Sequence, residues 1–390
     1  MVGLGLGLGL GLPGAGGCRH PGAAPPAPIR FLHTFGPDET ELFNTIVRER
    51  GLVVESSLVP FARGQQVISE IVAAGGSACP DLIRIDATWL PALRSAGLLT
   101  AVPADLAARD WTPEARGLVT SAWNGGSGVL YGVPEAVDGL VVVRDSSRPA
   151  PASDSIEDLV LAARATKTES SPYPLGVRVD GYWFVAWLRA AGGELRPPGI
   201  QGDAAIAALA SFAALYGDVA SPPPPSGTEA PDELRRWQAH ELAYWVTGPW
   251  QLGALADRDR LAITRLAHAP RGGQVLVVPT CASRAADGWR LAAELTDPAV
   301  EARFAVAFST VPSRTSAVAQ SPPLVRALYV ALAAGEPLPR VATTPLLFDD
   351  LNPALAAVVA KDATPAEAIE GVRRGWQRVA AGANSHAGQP

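Results

Sequence analysis

The sequence lacks most of the residues and motifs on which metal sites and nucleophilic catalysis depend. Its 390 residues include only 3 cysteines, and its 5 histidines are scattered at positions 20, 33, 240, 268 and 386. The histidines show no metal-ligand spacing, and the HExxH, paired CxxC, Walker and GxSxG motifs are absent. The sequence therefore predicts no metal site, implies no cofactor and argues against an enzyme of these classes.

An excess of positive charge is also lacking. The formal net charge is −6 and the isoelectric point is about 5.5, whereas nucleic-acid-binding proteins usually present a basic face. The composition therefore argues against a nucleic-acid partner. The hydrophobic fraction of 48% over 390 residues is enough for two domains, each with its own core.

No apolar run is long enough at the N-terminus to cross a bilayer. Met1 to Leu12 alternates Gly and Leu over about ten apolar residues, and a transmembrane helix needs roughly 20. This run, followed by small residues before Cys18, fits a secretory signal whose cleavage leaves Cys18 as the lipidated first residue. No Lys or Arg precedes the run, so a low-complexity leader stays open as the alternative. We interpret 1–28 as leader and tether, because 19–28 is rich in Pro, Ala and Gly.

The other two cysteines, Cys79 and Cys281, allow two interpretations. They form a disulfide in an oxidising compartment, or they are isolated buried thiols. Because spacing alone cannot establish pairing, we favour the thiols.

Strand-like and helix-like segments alternate along the chain. Early strands are predicted at 29–33, 53–59 and 81–86, and each is followed by a predicted helix, at 37–50, 64–74 and 89–96. This alternation predicts a parallel or mixed sheet covered by helices. Further helices are predicted at 154–164, 182–191, 203–216, 231–240, 285–295, 298–308 and 365–379, with a strand at 275–278 and a polyproline-like loop at 221–227.

Five short blocks occur in a fixed order over most of the chain. They are Pro80 to Trp89 followed by Ala96-Gly-Leu-Leu99, Tyr131 to Arg144, Thr247-Gly-Pro-Trp250, Thr296 to Phe304 followed by Val311-Pro-Ser-Arg314, and Thr364 to Ala368. Together, and over about 29 to 379, they resemble family-1 extracellular solute-binding proteins of bacterial ABC sugar importers, especially the trehalose/maltose-binding branch.

The resemblance implies a fold and a function. The fold is of the α/β periplasmic-binding-protein type, with two α/β lobes joined by a hinge and a ligand cleft between them. The N-terminal lobe is expected at 29–136 and 274–320, and the C-terminal lobe at 140–270 and 321–385. Such a protein is exported, works as a monomer without a cofactor, captures a di- or oligosaccharide and delivers it to the membrane subunits of an ABC permease.

Three residues match ligand-binding positions of that family most directly. Asp86 and Asp138 match its ligand-binding acids, and a carboxylate forms strong, charge-assisted hydrogen bonds with sugar hydroxyls. Each could equally be a capping or surface acid. Trp250 matches the stacking Trp, which offers a flat surface to the C–H face of a sugar. Its alternative is a place in the core, since the chain has 10 Trp residues.

Other candidates are less specific. Glu39 follows the first strand, where the family contacts ligand, but it also suits a helix N-terminus. Arg63 either binds a hydroxyl or is solvated. Of Tyr182 and Trp183, which open a helix, one is expected to line the cleft and the other to pack.

Two positions concern the crossing strands between lobes. Gly272 and Gly273 resemble the second crossover, where the backbone can approach ligand closely. At Glu135-Ala136 the family often has two aromatic residues, so we expect a ligand smaller or more polar than a maltodextrin.

Two alternatives to transport stay open. A sensor would present the bound solute to a receptor. A glycoside-active enzyme would need two carboxylates flanking a bond, for which Asp86 with Asp138, or Asp349 with Asp350, are the available pairs.

Overall fold

The structure is a computed structural model that describes residues 27–120, 128–222 and 232–387. The predicted lipidation site Cys18 and most of the predicted loop at 221–227 lie outside these residues. Within them, no helix combines the length and the apolar character needed to span a bilayer.

The described residues form an α/β structure. The strands are β1 (Ile29–His33), β2 (Val54–Leu58), β3 (Leu82–Asp86), β4 (Val133–Gly139), β5 (Val141–Asp145), β6 (Leu175–Gly176), β7 (Tyr244–Thr247), β8 (Leu261–Thr264), β9 (Pro270–Val277), β10 (Val311–Pro312) and β11 (Glu336–Pro337). The helices are α1 (Pro37–Glu49), α2 (Gly64–Ala74), α3 (Leu90–Ser95), α4 (Ala104–Ala107), α5 (Pro113–Val119), α6 (Ile156–Ala165), α7 (Gly181–Ala190), α8 (Gly202–Ala213), α9 (Glu233–Gln238), α10 (Pro249–Leu252), α11 (Ala285–Leu295), α12 (Pro298–Phe308), α13 (Thr315–Gln320), α14 (Pro323–Ala333), α15 (Leu347–Val359) and α16 (Pro365–Ala387).

The larger sheet is mixed, as the sequence predicted. Its strand order is β10-β4-β9-β3-β1-β2, and β11 pairs with β9. The β1–β2 and β1–β3 pairs are parallel, whereas β9 is antiparallel to both β3 and β4. Alternate residues of its central strands enter separate apolar clusters, Leu82 and Leu276 in one, Ile83 and Val275 in the other. The sheet is therefore buried on both faces, as is typical of sheets covered by helices.

The smaller sheet has the order β6-β7-β5-β8. Its core is shared with α6, α7, α8, α15 and α16, and it includes the fully buried side chains of Phe184, Phe212 and Trp376.

The chain passes directly from one sheet to the other at two places. Strand β4 of the larger sheet ends at Gly139 and β5 of the smaller sheet begins at Val141. The return passage links β8 to β9, which begins at Pro270 rather than at the predicted Val275. The prediction was short because Gly272 and Gly273 are residue types depleted in strands. An apolar cluster bridges the passages, with Val137 and Val311 of the larger sheet packed near Val141 and Val143 of the smaller.

Cys79 and Cys281 form a disulfide, so the favoured interpretation as free thiols was wrong. Their Cα atoms lie 6.0 Å apart although 202 residues separate them in sequence. Cys79 precedes β3 and Cys281 follows β9, and the antiparallel pairing of these strands aligns Ile83 with Val277. Strand pairing therefore brings the two cysteines together, and no local pattern shows that pairing.

Candidate functional site

A cavity of about 1100 Å³ lies between the two sheets. Ligand pockets for drug-sized molecules are typically about 300–1,000 Å³. Residues of the larger sheet and its helices that line it are Thr34, Glu39, Phe61, Arg63, Gln65, Gln66, Ser69, Arg84, Asp86, Thr88, Trp89, Ala136, Val137, Asp138, Gly272, Gln274, Thr310 and Val311. The opposite side is lined by Arg178, Asp180, Tyr182, Trp183, Pro249, Trp250, Gln251, Leu338, Pro345, Leu346, Phe348, Asp349 and Asn352.

The floor of the cavity consists of three polar residues on adjacent strands of the larger sheet. Strand β9 lies between β3 and β4, and Gln274 is paired with Asp86 on one side and with Ala136 on the other. Asp138 follows Ala136 by two residues, so it projects from the same face of the sheet. Asp86, Gln274 and Asp138 are thus neighbours although they come from three distant parts of the sequence.

Hydrogen bonds fix the floor residues unevenly. Asp86 Oδ1 accepts hydrogen bonds from the Thr88 amide, at 2.8 Å, and from the Thr88 hydroxyl. Gln274 Nε2 donates to Asp138 Oδ2 at 3.2 Å. The remaining amide oxygen, Gln274 Oε1, is buried and has no hydrogen-bond partner within the described residues.

The two floor acids hold their protons more tightly than ordinary aspartates. Burial, reinforced by the negative charge of Asp86, raises the pKa of Asp138 to about 7. Burial also raises the pKa of Asp86, although the two hydrogen bonds from Thr88 oppose this shift. Two carboxylates that share a poorly solvated site repel each other, so the charge of Asp86 favours the protonated form of Asp138.

A buried ion pair lies beside the floor. The register of β4 shifts between Pro134 and Ala136, and at this bulge the Glu135 carboxylate contacts Arg84 Nε at 2.9 Å. Arg84 Nη1 also donates to the Thr34 hydroxyl at 2.9 Å. Burial raises the pKa of Glu135, and the charge of Arg84 opposes the shift. At a position where the family often has an aromatic side chain, Glu135 forms an ion pair with Arg84.

The opposite wall is aromatic. Tyr182, Trp183 and Trp250 pack edge to face, with ring centroids 6.0 to 6.4 Å apart. Asp180 caps α7 by accepting a hydrogen bond from the Tyr182 amide at 2.8 Å, which places the first turn of the helix at the cavity. Gly248 allows the Trp250 ring to fold back over the backbone, because a Cβ there would collide with the ring.

Trp183 and Trp250 differ in how much of the side chain is exposed and so available to a ligand. Trp183 is 8% exposed and donates its indole N–H to the Val246 carbonyl at 2.8 Å, so it packs mainly in the core. Trp250 is 45% exposed. Trp183 thus lines the cavity with a mostly buried ring, while the ring of Trp250 is open to the cavity.

A second aromatic pair was not identified from the sequence. Phe61 and Trp89 lie on the larger-sheet side of the cavity with centroids 5.3 Å apart, and Phe61 is 56% exposed. The sequence contains only a weak sign that Phe61 lines a cavity. This residue follows a strand, and no periodic pattern around it distinguishes a cavity-lining residue from an ordinary surface residue. Arg84 and Gln274 were also missed, although a charged residue inside the apolar Leu82–Asp86 strand was a usable sign.

The structure brings eight of the nine predicted ligand-binding residues to this cavity, namely Glu39, Arg63, Asp86, Asp138, Tyr182, Trp183, Trp250 and Gly272. Glu39 also accepts a hydrogen bond from the Gly36 amide at 2.8 Å, so it caps α1 as the alternative interpretation held. Gly273 does not line the cavity. A Cβ at Gly273 would collide with the Ala136 carbonyl, so this glycine allows close packing of β4 on β9.

The second carboxylate pair considered for an enzyme diverges in the structure. Asp349 lines the cavity, whereas Asp350 lies against Gly375 of α16 and 3.8 Å from Arg378. Among the residues that the structure describes, no group of three or more acidic, His or Cys side chains is arranged to hold a metal ion.

Comparison with solved structures identifies the fold. The GacH receptor of Streptomyces glaucescens GLA.O, solved unliganded and with acarbose, superposes with a TM-score of 0.78 at 20% identity, covering 90% of this chain and 97% of that one. A maltotriose-binding protein of Thermus thermophilus, bound to maltotriose, gives 0.75 at 19% identity, covering 90% and 99%. Maltose-bound MalE3 of T. maritima gives 0.77 at 19% identity, also covering 90% and 99%.

Comparison of sequences identifies the family. No curated protein matches the chain. Residues 54–328, well over half of the chain, match the family model of bacterial extracellular solute-binding proteins. The two sheets, their covering helices and the cavity between them agree with the periplasmic-binding-protein type of fold. The chain belongs to the bacterial extracellular solute-binding proteins.

Proposed function

We propose that this protein captures a sugar of two or more rings in the cavity and delivers it to an ABC permease. The observation that carries the proposal is the pairing of two chemistries across one cavity, with the carboxylates of Asp86 and Asp138 on one side and the exposed ring of Trp250 on the other. Sugars present hydroxyls and apolar C–H faces together, and these two walls suit both. The binding roles of Arg63 and the other predicted residues are part of this proposal.

The size of the cavity supports more than one sugar ring. Its volume of about 1100 Å³ is at the upper end of ordinary ligand pockets. The Phe61–Trp89 pair adds aromatic surface at a point separate from Trp250. We therefore propose a di- or oligosaccharide. The replacement of an aromatic pair by Glu135-Ala136 supports a ligand that is more polar than a maltodextrin.

Capture is proposed to occur by closure of two lobes, with boundaries at 29–136 and 274–320 for one and 140–270 and 321–385 for the other. The two direct passages, between β4 and β5 and between β8 and β9, are the candidate hinge. A ligand that contacts Asp138 and Trp250 together favours the closed form, because only that form provides both contacts at once.

The family description places such proteins outside the cytoplasm. The Cys79–Cys281 disulfide supports an oxidising compartment, since disulfides persist there and are rare in the cytosol. We propose in addition that Cys18 is lipidated and that the monomer is tethered to the outer face of the membrane. The Cys18→Ala variant should then leave the membrane fraction with unchanged ligand affinity. A variant that stays membrane-bound would contradict the anchor.

The function is tested by calorimetric titration of the purified protein with a panel of glucose, tagatose, trehalose, maltose and maltotriose. Saturable binding of at least one sugar of two rings, with a smaller radius of gyration in solution scattering when it is bound, is the expected result. Binding of none of them would contradict the proposal. Chromatography of the sugars after incubation separates binding from glycoside cleavage, because an enzyme would release smaller sugars.

In transport, the closed, sugar-bound form docks on an ABC permease. In sensing, it docks on a receptor. Reconstitution with the proposed ABC permease, in vesicles with ATP, should give sugar uptake that depends on the protein. Absence of uptake together with proven binding would favour the sensor.

A further inference from the structure

We infer that Gln274 is a specificity-determining residue: its amide oxygen, together with the free oxygens of Asp86 and Asp138 in their ionised forms, forms a subsite of acceptors that takes hydroxyl groups of the ligand as donors. The inference deepens the proposed sugar-binding function and rests on it.

The orientation of the Gln274 amide follows from its neighbour. An ionised carboxylate can only accept hydrogen bonds, so the amide turns its N–H to Asp138 Oδ2, 3.2 Å away. This leaves Oε1 as the unused end of the amide. Gln274 is 9% exposed, and Oε1 has no donor among the described residues.

A buried acceptor without a donor is uncommon in folded proteins. Buried polar atoms are nearly always hydrogen-bonded, because the bonds they lose to water must be replaced. Since Gln274 lines the cavity, a ligand is the natural source of the missing donor.

The atoms around Gln274 extend the same chemistry. Asp86 uses Oδ1 for Thr88, and Asp138 uses Oδ2 for Gln274, so each keeps one oxygen without a partner in the described part of the chain. The cation that acts electrostatically on both acids, Arg84, is already bonded to Glu135 and Thr34.

The resulting subsite has three free acceptors on three neighbouring strands. A sugar ring carries several hydroxyl groups and can donate to more than one of these acceptors. A deoxy sugar that lacks one of these hydroxyls leaves one acceptor unsatisfied, and sites built to bind a hydroxyl discriminate strongly against its absence.

The experiment uses the tightest-binding sugar of the titration panel and the full set of its monodeoxy derivatives. For the unmodified protein, at least one deoxygenation should weaken binding about tenfold or more. In Gln274→Met, which keeps the length of the side chain and removes the amide, the parent sugar should bind about tenfold more weakly. At one position the penalty for deoxygenation should fall below about threefold, because the deoxy sugar had no bond to Gln274 to lose.

Two further variants make the result specific. Gln274→Asn keeps an amide but draws its oxygen back by one bond, so it should lose the same discrimination with less risk to folding. Gln320→Met makes the identical change at an exposed helical position outside the cavity, where the side chain donates a hydrogen bond to the Ser316 carbonyl, and should preserve the whole pattern.

The outcomes separate the inference from the function. If Gln274→Met and Gln274→Asn fold and retain the complete deoxy pattern, Gln274 reads no hydroxyl and the inference is wrong although the protein still binds sugar. If the pattern changes only in Asp138→Asn, the acids alone recognise the ring, and again the inference is wrong. If no sugar binds the unmodified protein, the proposed function fails first.

Discussion

The two sides of the cavity are built in different ways. The floor is polar and is assembled by strands that lie far apart in sequence, with Asp86, Gln274 and Asp138 meeting only through the pairing of β3, β9 and β4. The wall is aromatic and is built from short local segments, the first turn of α7 and the Gly248-Pro249-Trp250 turn. The floor offers directional hydrogen bonds and two buried acids with raised pKa values, whereas the wall offers apolar surface area.

This difference leads to different costs of substitution. On the floor, charge and hydrogen bonding dominate, and burial acts against the ionised acids. On the wall, burial stabilises the side chains, so each ring divides its contribution between folding and binding according to its exposure. The expected effects below run from the largest to the smallest.

On the wall, Trp183→Ala should lower the free energy of unfolding of the empty protein by about 3–5 kcal/mol, the usual cost of removing a buried large aromatic side chain. The buried ring and its bond to the Val246 carbonyl are the reason. Denaturant unfolding without sugar measures it. Trp250→Ala is the internal comparison and should change stability little, because its ring is 45% exposed. Equal losses in both variants would remove the distinction between a packing and a binding tryptophan.

Beside the floor, Arg84→Met should destabilise the protein by about 3–5 kcal/mol, because it leaves the buried Glu135 carboxylate without its cation. The double variant Arg84→Met with Glu135→Leu removes both charges and should recover much of the loss. Chemical denaturation of the single and double variants gives the coupling. A double variant as unstable as the sum of the singles would mean that the ion pair does not act as a unit.

For ligand affinity, Asp138→Asn should weaken sugar binding roughly ten- to a hundredfold, since a charged hydrogen bond contributes about 1.5–3 kcal/mol. The shape of the side chain is retained, so calorimetry reports the charge. Asp203→Asn, an exposed acid in the first turn of α8, is the matched control and should bind as the unmodified protein does. Equal affinity in Asp138→Asn would move ligand recognition away from the floor.

Ligand affinity should also depend on pH through the ionisation of Asp138. Because the pKa of Asp138 is raised to about 7, this acid is mostly protonated at pH 6 and mostly ionised at pH 8. A ligand that donates to the carboxylate should bind up to about tenfold more tightly at pH 8 than at pH 6. Titrations across this window measure it, and the slope should disappear in Asp138→Asn.

The stability of the empty protein should show the opposite sign. A carboxyl group whose folded pKa lies above its unfolded value binds more protons in the folded state, so it lowers stability as pH rises from about 4 towards 7. Asp138→Asn should therefore raise the unfolding temperature more at pH 8 than at pH 5. An equal gain at both values would argue that Asp138 titrates normally.

The smallest expected effect is on the wall. Trp250→Ala should weaken binding by about 0.5–1.5 kcal/mol for the lost aromatic contact, plus the lost apolar burial. Leu161→Ala, at a 59% exposed site on α6, is the control for losing an exposed apolar side chain. A Trp250→Ala variant with intact affinity and a strongly destabilised empty form would show that Trp250 is a packing residue.

Much of the local structure could be predicted from the sequence. Helix α2 occupies the predicted 64–74, and α11 and α12 occupy the predicted 285–295 and 298–308. Pro298 after the capping residue Asp297 defines the start of α12 in the sequence and in the structure. Such signals are short-range, because periodicity and caps act within one or two turns.

The wall residue Trp250 was predicted from the resemblance to the family, and short-range signals help to explain where the wall residues lie. Tyr182 and Trp183 follow the capping residue Asp180, and Trp250 follows a Gly-Pro turn. A few adjacent residues therefore determine the backbone position of each of these aromatic residues. Which ring packs and which is exposed depended on neighbours such as the Val246 carbonyl, which only the folded chain provides.

By itself, the sequence determined the family, the alternation of strands and helices, and eight residues that line the cavity. Only the tertiary structure decided that Cys79 and Cys281 are bonded, that a bulge directs Glu135 to Arg84, and that Gln274 lies between two acids with an unsatisfied oxygen. The physical reason is that these arrangements depend on strand register between distant segments. A shift of register by one residue would turn the Gln274 side chain to the opposite face of the sheet, away from the two acids.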